Sequence, residues 1–131
     1  MKPPSIQLPD SGVHPVSAAP HELRSAVVKR GMAWQEVDLS GVHDKHTLMA
    51  AFVRGLRLPA DFGANWDALA DALHDLVEAG EACLFLGNAR ACATRSPDEF
   101  SMLCSVLADV AAEWRTRKRR FLALLSGVQP G

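Results

Sequence analysis

Hydrophobic positions along the chain follow two patterns, one with helical spacing and one of short apolar runs. Helical spacing predicts four helices, at His21–Arg30, Asp44–Leu56, the segment between Asn65 and Gly80, and Ser96–Trp114. Three apolar segments predict strands, at Met32–Leu39, Ala82–Leu86 and Arg120–Leu125. From the first strand onward the element order is β-α-α-β-α-β. Such an order implies an α/β fold, with a small parallel sheet, right-handed crossovers and helices packed against it.

Local signals mark where two of these helices begin and how the chain divides. Ser96-Pro97-Asp98-Glu99 combines an N-cap serine, a proline at the first helical position and the glutamate of a capping box. Asn65 is suited to cap its helix through the side-chain oxygen. Residues 1–31 include five prolines before residue 21, and they predict a partly irregular N-terminal extension with one extended stretch near Val13–Val16. Residues 32–131 are then the folded domain.

The helix after Asn65 is distinguished by its charge. Asp67, Asp71 and Asp75 are four residues apart, so their carboxylates share one helical face. Like charges at this spacing destabilise a helix by about 0.2–0.5 kcal/mol per pair. From Leu58 to Ala89 there are six acidic side chains and no Lys or Arg. The apolar stripe of this helix is expected to face the core, so the pattern predicts an acidic surface that meets a positively charged partner.

Composition and overall charge narrow the class of protein. A chain of 131 residues with 48% hydrophobic residues and a formal net charge of −1 is typical of one soluble domain. The N-terminus lacks the apolar run of a signal peptide, and no apolar run approaches a membrane span. The three cysteines fit no metal spacing, which favours reduced thiols in the cytoplasm.

The segment Leu58-Pro-Ala-Asp-Phe-Gly-Ala-Asn-Trp-Asp-Ala-Leu-Ala-Asp-Ala-Leu73 closely resembles the signature of the barstar family. Members of that family are small intracellular inhibitors of secreted bacterial ribonucleases such as barnase. A weaker resemblance extends from about Met32 to Ser126. It implies a three-stranded parallel sheet flanked by helices, no catalysis and no cofactor. It also implies a monomer that forms a one-to-one complex with a small basic ribonuclease.

The resemblance further implies an inhibitory edge made of the acidic helix and the loop before it. Its contact positions fall on Asp61, Phe62, Gly63, Asn65, Asp67, Asp71, Leu76 and Glu113. Asp71 is the central contact, and Glu113 is an outlying one on the last long helix, where Arg117 stands four residues away and can neutralise it. Asp61 and Ala70 replace aromatic residues of that edge. Because aromatic anchors are frequent hot spots, barnase itself is not assigned as the target.

Other interpretations stay open. Asp67 and Asp71 could act as paired carboxylates in an enzyme, but an exposed helix lacks apolar burial and no Ser/His or Cys/His set accompanies them. Asp67, Asp71 and His74 share a face that could bind a metal, although one helix supplies few ligands. The basic run Arg115–Arg120 could contact nucleic acid, but it lacks interleaved aromatics and follows a helix, where cations favour the dipole. A partner that is not a ribonuclease is a further alternative.

Overall fold

Four parallel strands form one sheet in the computed structural model, which describes residues 8–59 and 61–127. In chain order they are β1 (Gly12–Val16), β2 (Ala33–Asp38), β3 (Ala82–Gly87) and β4 (Phe121–Ser126). Their order across the sheet is β1-β4-β3-β2. The three strands predicted from apolar segments are confirmed. The expected total of three was wrong, because the extended stretch of the N-terminal segment pairs with β4, with Gly12 opposite Leu122.

Five helices connect these strands within the described residues. They are α1 (Pro20–Lys29), α2 (Lys45–Leu56), α3 (Trp66–Ala79), α4 (Ala89–Arg95) and α5 (Pro97–Thr116). All four predicted helices are present. The short helix α4 was not predicted, because seven residues are too few to show a helical period. The first seven residues, where the irregular extension was predicted to begin, lie outside the described part of the chain.

The direction of the connections places the helices on two faces of the sheet. The chain crosses from β1 at one edge to β2 at the other, and then returns through β3 to β4. Right-handed crossovers in opposite directions put their helices on opposite faces. Accordingly, Leu84 of β3 belongs to the large core cluster with residues of α2, α3 and α5. Its neighbour Phe85 belongs to a smaller cluster with Leu23 and Val27 of α1.

The helices α2 and α5 begin with different hydrogen bonding. The side chain of Asp44 accepts the backbone N–H of Thr47 at 2.8 Å, which caps α2. Ser96 precedes α5 but makes no side-chain cap hydrogen bond, so the predicted capping box was wrong. Ser96 also ends α4, where its backbone N–H donates to the carbonyl of Cys92 at 2.8 Å. The end of α4 thus fixes the backbone conformation of Ser96. In that conformation its buried hydroxyl has no hydrogen-bond partner in the described chain.

A glycine lets α2 lie directly against β2. A Cβ atom at Gly55 would stand 2.6 Å from the carbonyl oxygen of Glu36 and 2.7 Å from a methyl group of Val37. No side chain fits in that space without a shift of the backbone. The close approach therefore fixes the end of α2, from which the loop into α3 departs. Among the described residues no helix is long and apolar enough to cross a membrane.

Candidate functional site

The loop between α2 and α3 exposes one carboxylate and is anchored by one aromatic side chain. Asp61 and Gly63 are exposed, whereas Phe62 packs against the large core cluster. The backbone N–H of Phe62 donates to the carbonyl of Pro59 at 3.0 Å, which closes a tight turn. Phe62 also lines a largely apolar groove of about 330 Å³ between this loop and α2. The burial of Phe62 thus holds Asp61 and Gly63 at the surface.

Asn65 joins the loop to the helix. Its side-chain oxygen accepts the backbone N–H of Ala68 at 2.8 Å, which confirms the predicted cap. Its amide nitrogen donates to the carbonyl of Gly63 at 3.2 Å. These two bonds leave one amide hydrogen of Asn65 uncommitted within the described chain. Asn65 can therefore cap α3 and contact a partner at the same time.

The helix α3 has one buried face and one acidic face. Leu69, Leu73 and Val77 are fully buried, while Asp67 and Asp71 are exposed. Asp75 is exposed as well. In residues 8–59 and 61–127, none of these three carboxylates has an ion-pair or hydrogen-bond partner. Burial of the leucines therefore orients a row of carboxylates whose charge is available to another molecule.

Leu76 lies on α3 but not on its acidic face. It is partly buried and packs against the large core cluster. At 3.6 residues per turn it stands well away from Asp67 and Asp71 around the helix axis. Asp61, Gly63, Asn65 and the three aspartates are thus exposed, whereas Leu76 lies against the core.

A hydrogen bond between helices positions Glu113 relative to α3. The indole Nε1 of Trp114 on α5 donates to Nδ1 of His74 on α3 at 2.9 Å. Glu113 is the neighbour of Trp114, and His74 lies three residues after Asp71. Glu113 is exposed and pairs with Arg117 at 3.1 Å, as its spacing predicts. Both side chains are more than half exposed, and such a surface pair contributes about 0–1 kcal/mol, so a partner can displace it at little cost.

The basic run after α5 stabilises the far end of α3. Arg119 donates from its guanidinium to the carbonyl of Val77 at 2.9 Å and to that of Glu78 at 2.7 Å. These carbonyls belong to the last turn of α3, where a cation also interacts favourably with the helix dipole. Arg120 pairs with Glu81 at 3.2 Å. Hydrogen bonds from the Arg120 side chain and backbone N–H hold the pKa of Glu81 below its ordinary value.

Other arginines of the run also have partners within the fold. The guanidinium carbons of Arg117 and Arg119 lie 4.8 Å and 5.6 Å from the centre of the Trp114 ring, where cation–π attraction operates. Arg115 donates to the carbonyl of Ser11 at 2.6 Å and so holds the N-terminal segment. The long-range partners of the arginines in this run were not predicted, since no local pattern in the sequence encodes contacts between residues 39 or more positions apart.

The surroundings of His74 and of the cysteines limit the chemistry open to these side chains. The ring nitrogen Nδ1 of His74 is engaged by Trp114, and the described residues contain no group of three or more potential ligands placed to hold a metal ion. All three cysteines are free thiols. Burial raises the pKa of Cys83 to about 12 and that of Cys92 to about 11, so these thiols stay protonated near neutral pH.

The fold and the exposed carboxylates define a small parallel α/β domain with an acidic helical edge. A family model described as Barstar (barnase inhibitor) matches residues 32–126, and the chain belongs to this family. The resemblance seen in the sequence is thereby confirmed. The matched range begins just before β2, so β1 and α1 precede it. Comparison with curated proteins gave no match.

Proposed function

We propose that this protein is an intracellular inhibitor of a small ribonuclease and acts in the cytoplasm as its immunity protein. The observation that carries the proposal is the row of exposed carboxylates on α3, which have no partner in the described chain. Like charges four residues apart destabilise a helix, so their presence is explained if they serve another molecule. Membership of a family described as barnase inhibitors supports the same partner class.

The proposed mechanism is occupation of the enzyme's active site. A ribonuclease must hold a phosphodiester, and therefore presents Arg, Lys and protonated His around its cleft. Asp67 and Asp71 place their carboxylates where phosphate oxygens would bind. Hydrogen bonds from arginine to a carboxylate are short and often bidentate, which gives both strength and orientation. The inhibitor needs no chemical step and no cofactor, because shape and charge suffice to exclude RNA.

Preorganisation of the edge would strengthen this binding. Asn65 caps the start of α3, Arg119 binds carbonyls at its end, and buried leucines hold its inner face. A rigid surface loses little side-chain and backbone entropy on association. In the proposed complex Asp71 is the central contact, flanked by Asp67 and Asn65.

The remaining contacts surround this centre. Asp61, Phe62 and Gly63 contribute from the loop, Phe62 through its backbone, while Leu76 and Glu113 lie at the periphery. The ion pair of Glu113 with Arg117 would open when a cation of the partner approaches. One inhibitor molecule would then bind one enzyme molecule.

The direct test mixes the purified chain with a panel of small bacterial ribonucleases and follows cleavage of a fluorescent RNA. The proposal predicts that at least one enzyme loses its activity at a one-to-one molar ratio. The double variant Asp67→Ala/Asp71→Ala should restore cleavage. If every enzyme in the panel cleaves normally in an excess of the natural chain, ribonuclease inhibition is not supported.

A second candidate is a barstar-like binding protein for a toxin that is not a ribonuclease. Asp61 and Ala70 favour it, because they stand where the resemblance predicts aromatic anchors. Asp61 is exposed and adds negative charge to the loop, while Ala70 offers little surface to a partner. Capture of binding proteins from the source cell, followed by a nuclease assay on the captured material, separates the two candidates.

A further inference from the structure

A second concave site lies at the carboxyl end of the sheet and shares no lining residue with the acidic edge. It is a cavity of about 510 Å³ between α4 and the end of β4. Arg90, Thr94 and Arg95 line it from α4, and Ser126 and Gly127 line it from the end of β4. Its volume lies within the range of about 300–1,000 Å³ that is typical of small-molecule sites.

The topology of the sheet creates a crevice at this place. The segment after β1 leads to α1 on one face, whereas the segment after β3 leads to α4 and α5, and α5 packs on the other face. The strand β4 lies between β1 and β3. The connections therefore diverge on either side of the end of β4. In open α/β sheets, ligands commonly bind outside the carboxyl ends of the strands, and this cavity lies there, lined from α4 and from the end of β4.

The lining of the cavity is cationic. Among the described residues it includes two arginines and no carboxylate. Arg90 is exposed and has neither an ion pair nor a hydrogen bond to the rest of the described chain. Arg95 donates one guanidinium hydrogen to the carbonyl of Ser40 at 2.8 Å, which orients the group and leaves further donors for a ligand. Hydroxyl groups come from Thr94 and Ser126.

The carboxylate of Asp38 is bonded to a lining residue but has other partners as well. Asn88 sits at the rim with its amide donating to the carboxylate of Asp38 at 2.9 Å. The same carboxylate accepts the backbone N–H of Ser40 at 2.9 Å and its hydroxyl at 3.0 Å. Asp38 is therefore committed to Asn88 and Ser40 and does not pair with either arginine in the described structure.

We propose that this cavity binds a small molecule that carries a phosphate group and is about the size of a nucleotide. Guanidinium groups match phosphate geometry through paired N–H donors, and both Arg90 and Arg95 line the cavity, so each can bind a phosphate oxygen from its own side. The hydroxyls supply further hydrogen bonds. This site is independent of the acidic edge, so its occupation does not depend on the proposed inhibition of a ribonuclease.

The test measures binding to the full chain by isothermal titration calorimetry and by thermal unfolding. The probes are AMP, glycerol phosphate and inorganic phosphate, with adenosine and succinate for comparison. The proposal predicts that AMP binds and raises the melting temperature, and that adenosine and succinate bind much more weakly. Arg90→Gln should weaken AMP binding about ten-fold, because a charge-assisted hydrogen bond is lost.

A matched variant provides the control. Arg24 is an exposed arginine on α1, which packs on the opposite face of the sheet, so Arg24→Gln should bind AMP as the natural chain does. Equal losses in the two variants would overturn the proposal, since they would indicate attraction to net charge alone. So would absence of binding by every phosphate probe, or equal binding of adenosine and AMP.

Discussion

Trp114 on α5 donates its indole hydrogen to the Nδ1 atom of His74 on α3, with 2.9 Å between the two nitrogens. It is the one side-chain hydrogen bond between these two helices in the described chain. Trp114 is 6% exposed, so its indole nitrogen has little access to water once folded. The bond therefore acts together with the buried leucines of α3 to fix the rotation of this helix against α5, and with it the direction of Asp71, three residues before His74.

Removal of this acceptor should destabilise the fold. His74→Ala leaves the indole N–H of Trp114 without its partner, and an unsatisfied buried donor costs about 1–3 kcal/mol. The free energy of unfolding, measured by urea denaturation, should fall by that amount. His21→Ala, at an exposed histidine of α1, should change it by no more than about 0.5 kcal/mol. Equal stability of the His74→Ala variant and the natural chain would show that the hydrogen bond between Trp114 and His74 does not stabilise the fold.

Asp71 should matter for binding and hardly at all for stability. Its side chain is exposed and has no partner among the described residues, so Asp71→Ala should change the free energy of unfolding by less than about 0.5 kcal/mol. As the proposed central contact, it should weaken binding of the inhibited ribonuclease by about 2 kcal/mol or more in calorimetry. Asp109→Ala, at an exposed aspartate of α5, is the matched control and should bind normally. If Asp71→Ala bound the ribonuclease with unchanged affinity, Asp71 would not be an interface contact.

The acidic edge should also govern the rate of association. Opposite charges steer two proteins together, and screening weakens this attraction as the Debye length falls from about 30 Å at 0.01 M salt to about 10 Å at 0.1 M. Stopped-flow measurements should show association with a basic ribonuclease slowing steeply over this range. The Asp67→Ala/Asp71→Ala variant should show a shallower dependence. An on-rate that is indifferent to salt would argue against steering.

Glu81 should contribute to stability in a pH-dependent way. Hydrogen bonds from Arg120 lower the pKa of Glu81 from its ordinary value of 4.5. A carboxyl group whose pKa is lower in the folded chain stabilises the fold above the unfolded value, and this contribution is lost as the pH falls through the folded value. Glu81→Gln should therefore be less stable than the natural chain at about pH 6, and the difference should shrink towards about pH 3.

Urea denaturation at several pH values measures this effect. Glu36→Gln replaces an exposed carboxyl group on β2 that has no ion pair within the described residues, so it controls for loss of a charge. A stability difference for Glu81→Gln that stays constant across the acid range would contradict the link to ionisation.

Ser11 should be required for attachment of the N-terminal segment. Its buried hydroxyl donates to the carbonyl of Phe121 and accepts the backbone N–H of the same residue, each at 3.0 Å. Ser11→Ala leaves both backbone groups unpaired and should cost about 1–3 kcal/mol in urea denaturation. Ser17→Ala, at an exposed serine just after β1, should be nearly neutral. A neutral Ser11→Ala would show that these hydrogen bonds add nothing.

Much of the fold and of the candidate site follows from short-range patterns in the sequence. The spacing of apolar residues predicts α2, α3 and α5, and Asn65 caps its helix as its side chain predicts. The shared face of Asp67 and Asp71 follows from helical geometry alone. These features are local, because a helix turn or a cap involves residues only three or four positions apart.

Only the tertiary structure decided the features that depend on distant residues. The strand β1 joins the sheet through Gly12 and Leu122, which are more than a hundred positions apart, and no local pattern in β1 specifies that pairing. The basic run has the composition of a nucleic-acid contact, yet Arg119 and Arg120 bind the end of α3 and Glu81. Ser96 begins a sequence typical of a capping box, but its backbone N–H closes the end of α4 and its side chain makes no cap hydrogen bond. At Ser96 a contact made by folding outweighs a local capping preference worth about 1 kcal/mol. The pairing of β1 and the contacts of the two arginines depend on burial and hydrogen bonding between distant segments, which no short-range pattern specifies.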